Sequence, residues 1–192
     1  MTATLVLLVL VAVAAVTDIV WQKIYNATTY SGLAIALVLS GTRTMLESRH
    51  LVDAHALEWI SPLGISASLA GLAICGGLMV FAYILFGIGG GDVKLIAMLG
   101  AFLGAELGLE ALLWTFLFGA VVAIAALVWR EGALGLLLKI GRYLLAMLKT
   151  GVPQAPQEDD RRTLQMPLYL GPCALLAALV VCFDLVQYLP HS

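Results

Sequence analysis

From Ile65 to Phe86 the chain carries no charged side chain, and three comparable runs, Ala3–Trp21, Leu109–Trp129 and Pro167–Leu189, carry one acid each. A helix of ~20 apolar residues spans the hydrocarbon core of a bilayer. The runs are continuous rather than alternating, which removes a transmembrane β-barrel. A chain of 192 residues that is 62% hydrophobic and 11% charged has more apolar surface than a soluble domain of its size can hide. The class left is an all-α polytopic membrane protein, read as a single integral membrane domain over 1–192.

Six apolar segments follow in order: Ala3–Trp21, Ala27–Ser40, about Pro62–Phe86, Val93–Ala105, Leu109–Trp129 and Pro167–Leu189. About six transmembrane helices are therefore expected. The second segment is short and begins polar, which suits a tilted or partly interfacial helix. The fourth falls below the length needed to cross, which suits a helix that starts beneath the interface. Gly71, Gly76, Gly77, Ala97, Gly100, Ala101 and Gly104 enrich the third and fourth segments in small residues, which let helices pack closely in lipid. The first segment resembles a signal peptide but has no basic residue before it, and reads as a retained span.

Between the fifth and sixth segments, Gly132–Lys149 sets leucines among Lys139, Arg142 and Lys149. This pattern predicts an amphipathic helix lying on the membrane surface, with a short failed span as the alternative. A solvated linker with Pro153, Pro156 and the charged run Glu158–Arg162 follows, so 132–166 is expected to be an interfacial helix and linker.

Six crossings divide the ten basic residues unevenly. Lys23, Lys94, Arg130, Lys139, Arg142, Lys149, Arg161 and Arg162 fall on one side, and only Arg43 and Arg49 on the other. The basic side is cytoplasmic by the positive-inside rule, with both termini outside. That assignment also places Asp18 and Asp92 on one face.

Asp92 stands in Gly87-Ile88-Gly89-Gly90-Gly91-Asp92-Val93-Lys94, between two apolar segments. An ionisable group at a membrane boundary is costly, and its default reading is functional. Two neighbouring carboxylates cannot both ionise cheaply, so the pair retains one proton. The ionised member can activate water while the protonated one donates to a carbonyl oxygen, which is general acid–base hydrolysis without metal or covalent intermediate. Glycines beside Asp92 allow an extended substrate to lie against the backbone. Lys94 either snorkels to the interface or helps hold the pair and the substrate.

Phe86-Gly-Ile-Gly-Gly-Gly-Asp-Val-Lys-Leu95 resembles the second-aspartate motif of the type IV prepilin peptidases, the membrane aspartic peptidases with a GxGD signature. Thr17-Asp18, followed by Lys23 and Ile24-Tyr25-Asn26, resembles their first-aspartate motif, with Tyr25 where the family usually has proline. Met166-Pro167 and Gly171-Pro172 resemble the proline-bearing start of the family's last span. The resemblance implies Asp18 and Asp92 as catalytic residues, supported by Gly89, Gly91, Lys94, Lys23, Asn26 and Pro167. It implies no cofactor and no metal. Long members carry an N-terminal methyltransferase region, often with paired CxxC motifs. No such region is read here, so the resemblance is to the short, peptidase-only form of tight-adherence (Flp-type) pilus systems. Its implied partners are prepilins and pseudopilins, membrane lipid and the pilus assembly machinery, at the cytoplasmic face of a bacterial inner membrane. Nucleic acid is not an expected partner, and the oligomeric state is left open.

The remaining polar residues have plainer readings. Cys75, Cys173 and Cys182 lie in apolar runs without a CxxC pair, as small core residues. His50, His55 and His191 have no metal-like spacing, and Asp184 reads as interfacial. The sequon Asn26-Ala27-Thr28 reads as a chance match, and Trp21, Trp59 and Trp129 as headgroup anchors. A transporter or ion-pathway subunit is the rival class, since broken Gly-rich helices with buried acids also line ion routes. The acids cluster at one face rather than mid-membrane and no internal repeat appears, which favours hydrolysis. A presenilin-like intramembrane peptidase shares the chemistry and differs in substrate. A purely structural subunit leaves the paired acids without a role.

Overall fold

The computed structural model describes residues 2–49, 61–132 and 170–183, and every regular element among them is helical. In chain order these are α1 (Thr2–Trp21), α2 (Asn26–Ser48), α3 (Ile65–Phe86), α4 (Gly90–Glu131) and α5 (Leu170–Cys182). Met1–Phe118 and Tyr169–Ser192 form one compact unit, and Gly119–Leu168 a second. Of the second unit the described part is 119–132. There α4 runs on with Val121, Ile124 and Trp129 exposed and stops at Gly132, whose N–H donates to the Val128 carbonyl. The rest of the expected interfacial helix and linker, with Pro167, Asp184, Trp59 and the three histidines, lies outside the described residues.

Three of the described helices are long and apolar enough to cross a membrane: Thr2–Trp21, Ile65–Phe86 and the stretch Gly90–Trp129. Their outward faces carry Leu5, Val9, Val13, Leu78, Phe81 and Ile84, all well exposed. A helix apolar all round, with large hydrophobes on its outer face, belongs in lipid. Among its described residues the protein is all-helical, with helices of the length and composition of a membrane protein. Among the described residues these three qualify by length and composition, whereas α2 is too polar and the described part of α5 too short to do so.

The stretch counted as one span is two arms. Gly104 sits at φ 82° and ψ −174°, a backbone conformation essentially confined to glycine. In an unbroken helix, residues eight apart lie about 12 Å apart along the axis. Here a methyl group on Gly108 would lie 3.0 Å from the Gly100 Cα, so the chain turns back on itself at Gly104. The expected loop between segments ending at Ala105 and beginning at Leu109 is thus a one-residue turn. The break leaves the last carbonyls of arm 90–103 without helical partners. Ser68 of α3 supplies one, donating a buried 2.7 Å hydrogen bond to the Ala101 oxygen.

Small residues bring α3 and this first arm together in antiparallel order. Gly76 packs against Ala97, Gly71 against the Gly100 carbonyl and Gly104, and Ser68 bonds Ala101. Cys75 is buried beside Gly100 and Gly108. Gly77, expected in the same interface, has open space where a side chain would be. On the other side Gly32 of α2 lies between Met98 of the first arm and Leu10 of α1. Leu7, Val11, Met79, Leu95, Ile96 and Leu99 fill the core between these contacts.

The second apolar segment, expected to end at Ser40, continues as helix to Ser48. Ser40, Thr42, Thr44 and Ser48 donate their hydroxyls to carbonyls three or four residues back, so polar side chains are accommodated within the helix. Thr44 also accepts the Ile65 N–H, and Arg43 Nη1 donates to the Ser61 carbonyl, joining the end of α2 to the start of α3.

Candidate active site

Asp18 lies one turn from the end of α1 and is 8% exposed. Its main-chain carbonyl accepts the Gln22 N–H at 2.9 Å, closing the helix. Gln22 takes the left-handed conformation (φ 53°) that usually falls to glycine at this position. The chain then turns through Lys23, Ile24 and Tyr25 into α2. The Asp18 carboxylate itself is held from elsewhere. The backbone N–H of Gly171, in the first turn of α5, donates to Asp18 Oδ2 at 2.9 Å in a buried contact. A side chain at residue 171 would come within 3.0 Å of Asp18 Cβ and Oδ2 and 3.1 Å of the Ala15 Cα. Only a glycine lets the start of α5 approach α1 this closely.

Asp92 is half-buried in the first turn of α4. The glycine run around it divides into distinct tasks. Gly87 ends α3 in the left-handed region (φ 65°), donating its N–H to the Tyr83 carbonyl. The Gly89 carbonyl accepts the Asp92 N–H, and a side chain on Gly89 would meet Asp92 Oδ2 at 3.0 Å. Gly91 packs on Ile24, a side chain there falling 3.1 Å from the Ile24 Cβ. The turn after Asp18 and the turn before Asp92 are therefore in contact, which sets the two aspartates at one end of the helices.

Lys94 crosses the same junction. Its Nζ donates a 2.7 Å hydrogen bond to Asn26 Oδ1, at the first residue of α2, and lies 5.0 Å from the centroid of the Tyr30 ring. Lys23 is exposed in the turn between α1 and α2. Of the eight expected site residues, Asp18, Asp92, Gly89, Gly91, Lys94 and Asn26 come together at one end of the helices. Lys23 belongs to that end by its place in the chain.

Sequence reasoning did not assign roles to Gly171, Tyr30, Ile24 or Gln22. Gly171-Pro172 before an apolar run was a signal of the first, since proline is tolerated in the first turn of a helix and marks its start. Ile24 stood within the first-aspartate motif without a role of its own, Gln22 acts through its backbone, and Tyr30, outside any motif, acts through its ring. Among the described residues no three metal-ligating side chains converge. A cavity lined by Ala3, Leu7, Leu63, Phe102, Leu107 and Val181 lies at the opposite end of α1, about 22 Å from Asp18 along the helix axis.

This arrangement suits acid–base chemistry on a neutral, polarisable bond: two carboxylates at one end of the helices, one bonded to an amide, beside an exposed glycine backbone. The type IV leader peptidase family matches residues 5–124, which include both aspartates, Asn26 and Lys94 and stop before Gly171. No curated protein and no solved structure matches the chain.

Proposed function

The chain belongs to the type IV leader peptidase family, and from that premise we propose that it is an aspartic endopeptidase working through Asp18 and Asp92. Its substrates in this reading are prepilins of the Flp type, cut at the cytoplasmic face of a bacterial inner membrane. The observation that carries the dyad is the meeting of the two aspartate turns: Gly91 packs on Ile24 and Lys94 bonds Asn26. The positive-inside count of the sequence, with Lys23 and Lys94 in or beside these turns, supports the cytoplasmic orientation.

In this mechanism the pair begins with one proton between them. The ionised carboxylate removes a proton from water as its oxygen attacks the scissile carbonyl carbon, and the protonated carboxyl gives its proton to the carbonyl oxygen. The product is a neutral gem-diol, and the dyad still holds one proton, on the other member. That member then protonates the leaving nitrogen while its partner takes a proton from one gem-diol hydroxyl. The C–N bond breaks, and the starting protonation returns. The exposed backbone at Gly89 and Gly90 gives an extended substrate a place to lie beside Asp92.

Co-expression with an Flp-type prepilin tests the reading. Leader removal is expected with the wild type and not with Asp18→Asn or Asp92→Asn at equal membrane abundance. Cleavage by either variant at the wild-type rate sinks the dyad.

A further inference from the structure

The two aspartates have different surroundings, although their chemistry is symmetrical on paper. Asp18 is buried and receives the Gly171 N–H, in the first turn of α5. Among the described residues no hydrogen-bond donor reaches the Asp92 carboxylate. The contact to Asp18 is built: a glycine at 171 is required for the approach, and its N–H is one of the first-turn donors that a helix cannot satisfy internally.

From this we infer that the Gly171 amide makes Asp18 the ionised base of the pair and leaves the shared proton on Asp92, the acid. The inference rests on the dyad reading above and assigns its roles.

Hydrogen bonds from backbone N–H to a carboxylate are roughly twice as strong as those between neutral groups, and they favour charge on the acceptor. Two helix dipoles act the other way. Asp18 is near the C-terminus of α1, which disfavours negative charge, and Asp92 is near the N-terminus of α4, which favours it. These dipole effects are screened wherever water reaches, and Asp92 is the more exposed of the two. The direct bond to Asp18 is buried and is reinforced by the N-terminal dipole of α5. Among the described residues, the titratable groups near Asp18 include Asp92 on α4 and the Cys173 thiol on α5. Lys94 is engaged with Asn26 and Tyr30.

The assignment makes a sharp prediction for the pH profile. If Asp18 carries the charge of the singly protonated pair, the Gly171 N–H stabilises both that state and the doubly ionised one. Removing the N–H then moves only the acid limb of the cleavage profile. If Asp92 carries the charge, the N–H stabilises only the doubly ionised state, and its removal moves only the alkaline limb. Replacing Gly171 by glycolic acid converts the 170–171 amide to an ester and removes the N–H without adding a side chain. In a Cys173→Ala background, which takes the thiol out of the alkaline limb, we expect the acid limb to rise by about one pH unit, a tenfold effect. The alkaline limb stays. A shift confined to the alkaline limb, or no shift, overturns the assignment.

A second measurement needs neither substrate nor the ester. The protonated-carboxyl infrared band of purified protein is titrated in Asp18→Asn and Asp92→Asn. The remaining Asp92 is expected to release its proton at a higher pH than the remaining Asp18, and the reverse order overturns the inference. Should the wild type cleave no prepilin, the peptidase reading fails by itself, and the infrared order still decides which carboxyl holds its charge better.

Discussion

Lys94 Nζ donates a 2.7 Å hydrogen bond to Asn26 Oδ1, so the residue two after the second aspartate is tied to the first residue of the helix that follows the first aspartate. The Tyr30 ring, one turn further along α2, lies 5.0 Å from the same ammonium. The sequence left Lys94 between a snorkelling boundary residue and a support for the pair. Its ammonium is engaged by two side chains of α2, and that engagement joins the two aspartate turns.

This junction predicts non-additive kinetics. Lys94→Met and Asn26→Ala should each slow prepilin cleavage several-fold, and the double variant should be little worse than either alone. The coupling expected for such a pair is about 0.5–1.5 kcal/mol, the range for residues in one hydrogen-bond network. Rate constants from purified variants in detergent or vesicles check it. Simple addition of the two effects would mean that the residues act independently.

The α3 interface predicts a contrast between two glycines six residues apart. A side chain at Gly71 collides with the Gly100 carbonyl and the Gly104 backbone, neither of which can swing away, whereas Gly77 faces open space. Gly71→Ala should destabilise the protein by about 1–3 kcal/mol or more, as over-packing does. Gly77→Ala should be neutral or slightly stabilising, because alanine is the better helix former. Thermal unfolding of the two variants in one detergent gives the comparison. Equal loss in both would contradict the packing described for α3.

Tyr25 supplies a test of the turn after Asp18. It precedes α2 with φ −71° and ψ 132°, angles that proline adopts without strain. Tyr25→Pro should therefore keep activity and change stability by a small amount. Proline at a compatible site adds about 0.4–1 kcal/mol by restricting the unfolded chain. Loss of the edge-to-face contact between Tyr25 and Trp21 offsets part of this. Melting and cleavage assays on the variant measure both, and a collapse of activity would show that the turn depends on the tyrosine side chain.

Much of the architecture could be read from the sequence because membrane helices advertise themselves by length and composition. Each of the six apolar segments contains described helix, and the glycine-rich contact between the third and fourth is present in Gly71, Gly76 and Gly100. The expectation that Asp18 and Asp92 share one face came from counting apolar segments, and the turns that carry them do meet. The one-residue reversal at Gly104 could not be read this way, since a glycine in an Ala/Gly-rich helix looks the same whether it packs or turns. The extension of α2 to Ser48 was hidden by hydroxyls that satisfy themselves within the helix. The bond from Gly171 to Asp18 joins residues 153 apart through a backbone group, and a main-chain donor has no side-chain signature.

The most direct test of the central claim is prepilin cleavage by wild type, Asp18→Asn and Asp92→Asn at matched membrane abundance. The account predicts leader removal by the wild type and a loss of several orders of magnitude in both variants, because each carboxyl takes part in both proton transfers. Cleavage persisting near the wild-type rate in either variant would contradict it.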